Sequence, residues 1–581
     1  MLKNLKPLRP YFWKHKSTLF WGALSVLLTN GIWVLFPQVL RRVIDDLKHG
    51  GTRQRIIVYA LVLVAIAVSK GIFQFLTRWL VIGVSRDIEY DLRNDMFRHL
   101  ESLSFPYYQR TRTGDIMARA TNDLNAVRNL LGPAIMYTAN TIVFTVMALV
   151  FMWRISPRLT LYTFVPLPLA SILVQYFGRQ IHERFEKIQE QFSEISARAQ
   201  ENFSGARVVR AYAQESAEIA LFEKSNQEYV TRSLPLARLM GMLWPALELL
   251  LGLAIALVLW LGPREVLLHR ITDGAFVGFM AYIFMLTWPV IAVGWVINIF
   301  QRGMASMGRI NEILSVQPEI TDAMVAPDLG TQPIRGDIEF RNLNFSYNGT
   351  PVLKDVSLRI PAGGSLAIVG PTGSGKTTLV NLIPRVYDTT PGSLLVDGRS
   401  VREFPLAELR RNIGFVPQET FLFSDTIREN IALGTEDATD EQIHAAAEVA
   451  NIAADIESFP GQYRTMVGER GITLSGGQKQ RTAIARALVR DPRILVLDDA
   501  LSSVDTYTEE RILNQLRQVM RGRTTIFISH RVSTVRNADQ IAVLHEGQIV
   551  ELGTHDELIA RDGYYTGLYN KQLLEEELAR V

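Results

Sequence analysis

Apolar and polar positions follow two different rhythms along this chain. Over roughly the first 300 residues, long apolar runs lie near 17–41, 56–84, 132–153, 159–180, 241–262 and 274–300. A helix of about 20 apolar residues crosses the hydrocarbon core of a bilayer, so the pattern predicts six spans with both ends on one side. The third and fourth are joined only by "RISPR", a tight hairpin. Between the second and third, and again between the fourth and fifth, the stretches 85–131 and 181–240 are too polar for lipid yet keep a helical period. They are expected to be helices running about 25 Å or more beyond the membrane. The segment "SVQPEITDAMVAPDLGTQPIRG" has the Pro, Gly and Asp content of a linker. From Ile338 onward short strands alternate with helices, the βαβ pattern of an α/β fold. The organisation predicted is a helical membrane domain over 1–315, a linker over 316–336 and an α/β domain over 337–581.

Composition narrows the function. A formal charge of +3, scattered along 581 residues, offers no nucleic-acid surface. With no cysteine, neither a disulfide framework nor a thiolate metal site can form, and the nine histidines lack metal-ligand spacing. The basic start "MLKNLKPLRPYFWKHK" leads into an apolar stretch too long for a secretory signal and without a small-residue cleavage site. It reads as an amphipathic lead-in, with Tyr11, Phe12 and Trp13 at the interface.

The chemistry lies in the α/β part. "GPTGSGKTT" places Gly370, Pro371, Thr372, Gly373, Ser374, Gly375, Lys376, Thr377 and Thr378 between the apolar strand "SLAIVG" and the helix "TTLVNLI". Glycines there let backbone N–H groups close around phosphates, and the helix N-terminus adds a favourable dipole. Lys376 can reach the β- and γ-phosphates, and the Thr377 hydroxyl can ligate Mg²⁺. A second apolar strand, "ILVLDD", ends in Asp498, placed to hold the Mg²⁺ of a bound ATP, and is followed at once by Asp499.

At "LSGGQKQR", carrying Leu474, Ser475, Gly476, Gly477 and Gln478, the chain resembles the ATP-binding-cassette (ABC) exporters. "FSYNG" with Tyr347, "FVPQET" with Gln418, "VGERG", "SSVD" and "FISH" with His530 follow that family's pattern, as do "TGDIMARATNDLNAV" and "ENFSGARVVRAYAQE" in the membrane half. The resemblance covers nearly the whole chain. It implies a multidomain fold in which six transmembrane helices precede a P-loop ATPase domain, in a multi-pass protein of the plasma or inner membrane with that domain in the cytoplasm. Nucleotide access then sets the orientation, because basic residues occur in the outer loops as well. It also implies that Tyr347 stacks on adenine, that Gln418 senses Mg²⁺, and that His530 bonds the γ-phosphate. Residues Leu474 to Gln478 would face ATP held by a second subunit, so one chain alone would lack a complete site.

Two positions depart from the family's pattern. Asp499 stands where such exporters usually carry the glutamate that polarises the attacking water, and Met466 where they often have Glu. One methylene less draws the carboxylate back by about 1.5 Å. A misplacement of about 1 Å can cost on the order of 10²-fold in rate, so weak hydrolysis with intact ATP binding is expected. That combination resembles the degenerate half of a heterodimeric exporter; the alternatives are a homodimeric exporter or flippase, and an ATP-gated regulatory membrane subunit. The cargo expected is a small amphipathic or lipophilic molecule. Glu248 and Lys70, inside predicted spans, are candidates for contacting it, Glu248 favouring cationic cargo; otherwise they pair with each other or lie in the cytoplasmic extensions of their helices. The tips of the intracellular loops are expected around Gly114–Asp115 and Tyr212–Glu215, touching the region of Gln418 and Glu469.

Overall fold

The computed structural model describes residues 2–325, 333–468, 471, 473–503, 506–529 and 531–580. It divides into two compact units, Met1–His99 with Gly114–Ser315, and Leu100–Thr113 with Val316–Val581.

The first unit is helical. Its principal helices are α1 (Lys16–Trp33), α2 (Phe36–Lys48) and α3 (Arg53–Ser102). The second unit takes in the short α4 (Phe105–Arg110). The first continues with α5 (Ile135–Ile155), α6 (Leu167–Ser204), α7 (Ala206–Ala211), α8 (Glu215–Leu267) and α9 (Asp273–Leu314). Five helical stretches among the described residues are long and apolar enough to cross a membrane: Lys16–Lys48, Arg53–Ser102, Thr113–Ile155, Glu215–Leu267 and Asp273–Ser315. The expected span 159–180 is not one helix. A turn at Phe164–Pro166 divides it between Pro157–Thr163 and α6, which begins Leu-Pro and then becomes rich in charge. Proline cannot supply the N–H that would carry the helix through.

Polar groups fasten this unit near the helix ends, while much of the outward apolar surface of α3 is left for lipid. Where α1 breaks before Pro37, the buried Tyr282 hydroxyl donates to Val34 O at 2.7 Å and accepts from Gln38 at 3.1 Å. Asp45 accepts from the Thr272 hydroxyl at 2.8 Å and from Gly274 N at 2.9 Å, holding the first turn of α9. At the other end of α9, Arg309 grips Asp123 through two nitrogens, at 2.8 and 2.5 Å, and Ser306 donates to the same carboxylate at 2.9 Å. The run from Thr113 to Ile155 widens into π-helical turns at Arg119–Asp123 and Leu130–Ala134, the second of them containing Pro133.

The second unit holds two sheets, a four-stranded one and a six-stranded one. The strands are β1 (Ile338–Tyr347), β2 (Thr350–Ile360), β3 (Ser365–Val369), β4 (Leu394–Val396), β5 (Arg399–Ser400), β6 (Ile413–Val416), β7 (Ile494–Asp498), β8 (Thr524–Ile528), β9 (Gln540–His545) and β10 (Gln548–Gly553). The six-stranded sheet has the order β10-β9-β3-β8-β7-β6, parallel except for the edge strand β10, and carries the loop 370–375 at one edge. Both faces are covered by apolar clusters, so β7 and β8 are buried at every position. Beside it stands a feature the sequence did not suggest, a separate antiparallel sheet in the order β2-β1-β4-β5. Its long hairpin turns at Asn348-Gly349, where both residues have positive φ, +49° and +86°.

Helices of the membrane unit pack closely at Gly303, where an added Cβ would lie 2.5 Å from Leu130 Cβ and 3.1 Å from Ala126 O. Gly303→Val is therefore expected to force α9 off its neighbour, costing about 1–3 kcal/mol. Thermal unfolding of the purified protein in detergent checks this: the midpoint should fall by a few degrees.

Candidate functional site

Register decides where the loops meet. Ile368 of β3 and Asp498 of β7 both pair with Ile528 of β8, and Val416 of β6 pairs with Leu497. The residues just beyond these pairs lie along one edge of the sheet: the loop 370–375, Asp498 and Asp499, Ser529, and Gln418. Ligand sites of open parallel sheets form beyond the carboxyl ends of the strands, where this edge lies.

The loop 370–375 admits no side chain at its tightest points. Gly370 has φ +149°, and a Cβ there would sit 2.1 Å from Leu544 O. Gly375, at φ +102° and ahead of α10 (Lys376–Asn381), would collide with Leu353 at 2.8 Å. Lys376 is buried and its Nζ donates to Gly370 O and Pro371 O, both at 2.9 Å. Burial lowers its pKa, and the carboxylates of Asp498 and Asp499 oppose that shift. Ser374 Oγ is buried with no hydrogen-bond partner among the described residues. A narrow cradle with an unspent hydroxyl and a cation at its mouth fits a chain of phosphates. Thr377 Oγ1 donates to Asp498 Oδ1 at 3.2 Å, bringing the strand-end carboxylate and the loop hydroxyl together as expected.

Asp499 is half-buried, and its N–H donates to Ile528 O at 3.1 Å. Its φ is +49°, in the left-handed region that Asp and Asn enter most easily among residues with a Cβ. Gln418 is exposed, two residues past the end of β6. His530, like Glu469, lies outside the described residues. Next to His530, Arg531 pairs with the buried Glu509, which also accepts from the Thr534 hydroxyl at 2.5 Å. This clamp on the segment after β8 was missed by sequence reasoning, because a lone Glu in an amphipathic helix carries no local signal.

The stretch 474–478 opens α11 (Gly476–Leu488). Ser475 caps it reciprocally with Gln478: Ser475 Oγ accepts from Gln478 N at 3.3 Å and Gln478 Oε1 accepts from Ser475 N at 3.0 Å. Leu474 is buried, while Gly476 has Ser503 close by, at 3.3 Å from an added Cβ. The buried Gln480 donates to Ser502 Oγ and accepts from Ser503 N, both at 2.9 Å, tying this helix to the segment that follows Asp499. That link too was invisible in the sequence.

Tyr347 donates its hydroxyl to Thr378 Oγ1 at 3.3 Å, and its ring meets Phe345 at 4.9 Å and Tyr387 at 5.1 Å. Burial pushes the Tyr387 hydroxyl up to about 12. Phe105 of α4 packs edge-on against Tyr387, and Arg110 bonds Asn348 in the hairpin turn. α4 thus packs beside Tyr347 and Tyr387 within its own unit. Gly114 and Asp115 lie in the short helix Thr113–Ala118. The second tip is α7 with the turn after it, where Ala213 has φ +51° and Tyr212 is exposed. Met466 is exposed and bridges to Thr426. Glu248 is exposed on α8, and Lys70 lies 4.4 Å over the Trp33 ring, so the two do not pair with each other.

Fold and site define a membrane-embedded ATPase of the P-loop type. Residues 19–290 match the family model described as "ABC transporter transmembrane region", and residues 353–502 match the one described as "ABC transporter". The chain is 37% identical to the probable multidrug resistance ABC transporter ATP-binding/permease protein YheI of Bacillus subtilis (strain 168), over 99% of this chain and 98% of that protein. It is 36% identical to the multidrug resistance-like ATP-binding protein MdlA of Escherichia coli (strain K12), over 98% of this chain and 96% of that one. It is 37% identical to an ATP-dependent lipid A-core flippase of Desulfotalea psychrophila (strain LSv54 / DSM 12343), over 88% and 89%. A solved bacterial Atm1-family ABC exporter with ATP bound superposes with a TM-score of 0.78 at 30% identity, over 96% of this chain and 98% of that one. The chain belongs to the ABC exporters, ATP-hydrolysing membrane transporters that carry permease and ATPase on one polypeptide.

Gly370→Ala should weaken binding of a fluorescent ATP analogue at least about tenfold, since the new methyl meets a carbonyl and the backbone strain adds to the clash. Gly373→Ala, where an added carbon meets nothing within 4 Å, should weaken it less. Titration of the analogue against both variants compares them.

Proposed function

We propose that the chain is one subunit of an ATP-driven exporter that moves amphipathic or lipophilic molecules out of the cytoplasm by alternating access, and that its own ATP site hydrolyses weakly. The observation that carries the reading is Asp499: a carboxylate one methylene short of Glu, at the strand edge beside an intact phosphate loop. Lys376 and the loop N–H groups bind the phosphates, and Tyr347 stacks on the base. Thr377, Asp498 and Gln418 hold Mg²⁺, which neutralises charge on the β- and γ-phosphates when bound. Asp499 orients water, with His530 bonding the γ-phosphate. Ser475, Gly476 and Gly477, at the N-terminus of the 13-residue α11, present N–H groups to ATP on a partner subunit. A partner with a full-length catalytic carboxylate would then turn over ATP between its own phosphate loop and this chain's α11.

A second reading, the homodimer, is favoured by one fact: this chain carries both an intact phosphate loop and an intact 474–478 stretch, so two copies would build two equal sites. The ATPase of the purified assembly separates the two readings. In the heterodimer, Asp499→Asn should remove less than half of the turnover, and Asp499→Glu should raise it at most about twofold. Gly477→Asp sets a carboxylate against the partner-bound γ-phosphate, where like charges in a desolvated cleft cost several kcal/mol, so a loss of at least about tenfold is expected. If Asp499→Asn silences the enzyme as fully as Gly477→Asp does, both sites rely on this aspartate and the homodimer stands. Transport itself is tested by ATP-dependent accumulation of an amphipathic dye in inside-out vesicles; absence of accumulation against a gradient would point to an ATP-gated regulatory subunit.

A further inference from the structure

The membrane unit contains a cavity of about 490 Å³ between the segment Asn122–Tyr137 and the cytoplasmic part of α9. One wall is polar: Asn122, Asn125, Asn129 and Asn298 surround Arg302, and no carboxylate lines the space. The side chains of Arg302, Asn122 and Asn298 make no ion pair or hydrogen bond with another described residue. Asn125 and Asn129 both accept from Arg128 through Oδ1, and the NH₂ donors of both amides remain unspent. The nearest carboxylate on this stretch, Asp123, is already spent on Arg309 and Ser306. The wall therefore presents donors and a net positive charge. The opposite wall is apolar and aromatic, with Tyr137 and Trp295 packed edge-on at 5.0 Å beside Ile299.

Two further features bear on what the cavity receives. It is bordered by both π-helical turns, Arg119–Asp123 and Leu130–Ala134, and such local widenings of a helix occur frequently at functional sites. Its depth follows from helix length. Trp295 lies about 33 Å along α9 from Asp273, one hydrocarbon thickness, and Arg302 about 10 Å beyond. Because α9 leads into the ATPase unit, the aromatic pair sits at the cytoplasmic interface and Arg302 at headgroup level.

We propose that this cavity binds an amphiphile with an anionic head, Arg302 and the asparagine amides taking the phosphate or carboxylate and the Tyr137–Trp295 wall taking the first carbons of the chain. Resting on the exporter reading, this makes the cavity the cytoplasmic loading site for cargo of that class. It also reverses the preference for cationic cargo inferred from Glu248. The donor set would serve a lipid-like head group or a free anion equally well; the aromatic wall favours the amphiphile.

The test uses the full chain, purified in neutral detergent, with radiolabelled dodecyl phosphate as probe and no nucleotide present. Binding should be saturable, competed by unlabelled dodecyl phosphate but not by dodecyltrimethylammonium. Loss of the charge-assisted bonds in Arg302→Gln should weaken binding at least about tenfold. Arg302→Lys keeps the charge and should stay within about threefold; it also covers the case in which Arg302→Gln does not fold, which its elution profile would reveal. Equal potency of inorganic phosphate would make the cavity a free-anion site and overturn the amphiphile proposal. Equal binding of the cationic amphiphile, or binding unaffected by Arg302→Gln, would overturn it as well. ATP-driven flux of dodecyl phosphate in liposomes separates the two readings: binding with no flux removes the exporter reading and leaves the site, whereas flux of other amphiphiles without binding here removes the site alone.

Discussion

The nucleotide site depends on one constraint, the parallel register of β3, β8, β7 and β6. Side chains alternate faces along a strand, so a slip of one residue at β7 would turn Asp498 away from Thr377. Every position of β7 and β8 is buried, and the exposed Arg493 just before β7 marks one end of the run that can stay inside. Hydrophobic packing on both faces of the sheet thus sets a distance of 3.2 Å between a hydroxyl and a carboxylate at its edge. The phosphate loop adds a second condition from the backbone: Gly370 passes so close to Leu544 O that only a residue without a Cβ can stand there.

Around that edge, hydrogen bonds connect parts of the chain far apart in sequence. Gln480 ties α11 to Ser502 and Ser503, so the helix opened by 474–478 is joined to the segment beyond Asp499. Glu509 holds Arg531 and Thr534, fixing the start of the segment that follows β8. Within the same unit α4 reaches the aromatic cluster of Tyr347 and Tyr387 through Phe105. The chain between α3 and α4 is only two residues long, so the segment packed on Tyr387 follows closely on that long helix. The membrane unit places its polar contacts near helix ends, as expected where lipid offers backbone and side chains no alternative partners.

Much of this was readable from the letters. Long apolar runs require a membrane, and "GPTGSGKTT" between a strand and a helix requires phosphate, because each pattern has one dominant physical use. Asp498 and Asp499 were legible for the same reason: a strand pattern that stops in carboxylates puts them at a sheet edge. Glu248 and Lys70 show the limit of a local signal. A charge within an apolar run signals that it needs a partner, not which one, and Lys70 found the face of Trp33. The span at 159–180 looked continuous because hydropathy averages over the prolines that end it.

Sequence by itself determined the two-part organisation, a helical membrane part followed by an α/β part, and the place of the glycine-rich loop between a strand and a helix, since these follow from local periodicity and from steric limits at glycine. Only the tertiary structure decided which distant groups meet. The pairing of β1 with β4 in the antiparallel sheet, the contact of Phe105 with Tyr387, the Gln480 and Glu509 clamps and the asparagine-lined cavity around Arg302 all join residues tens to hundreds of positions apart. The free energy of such contacts depends on burial and geometry that packing alone creates, and no local pattern along the chain records it.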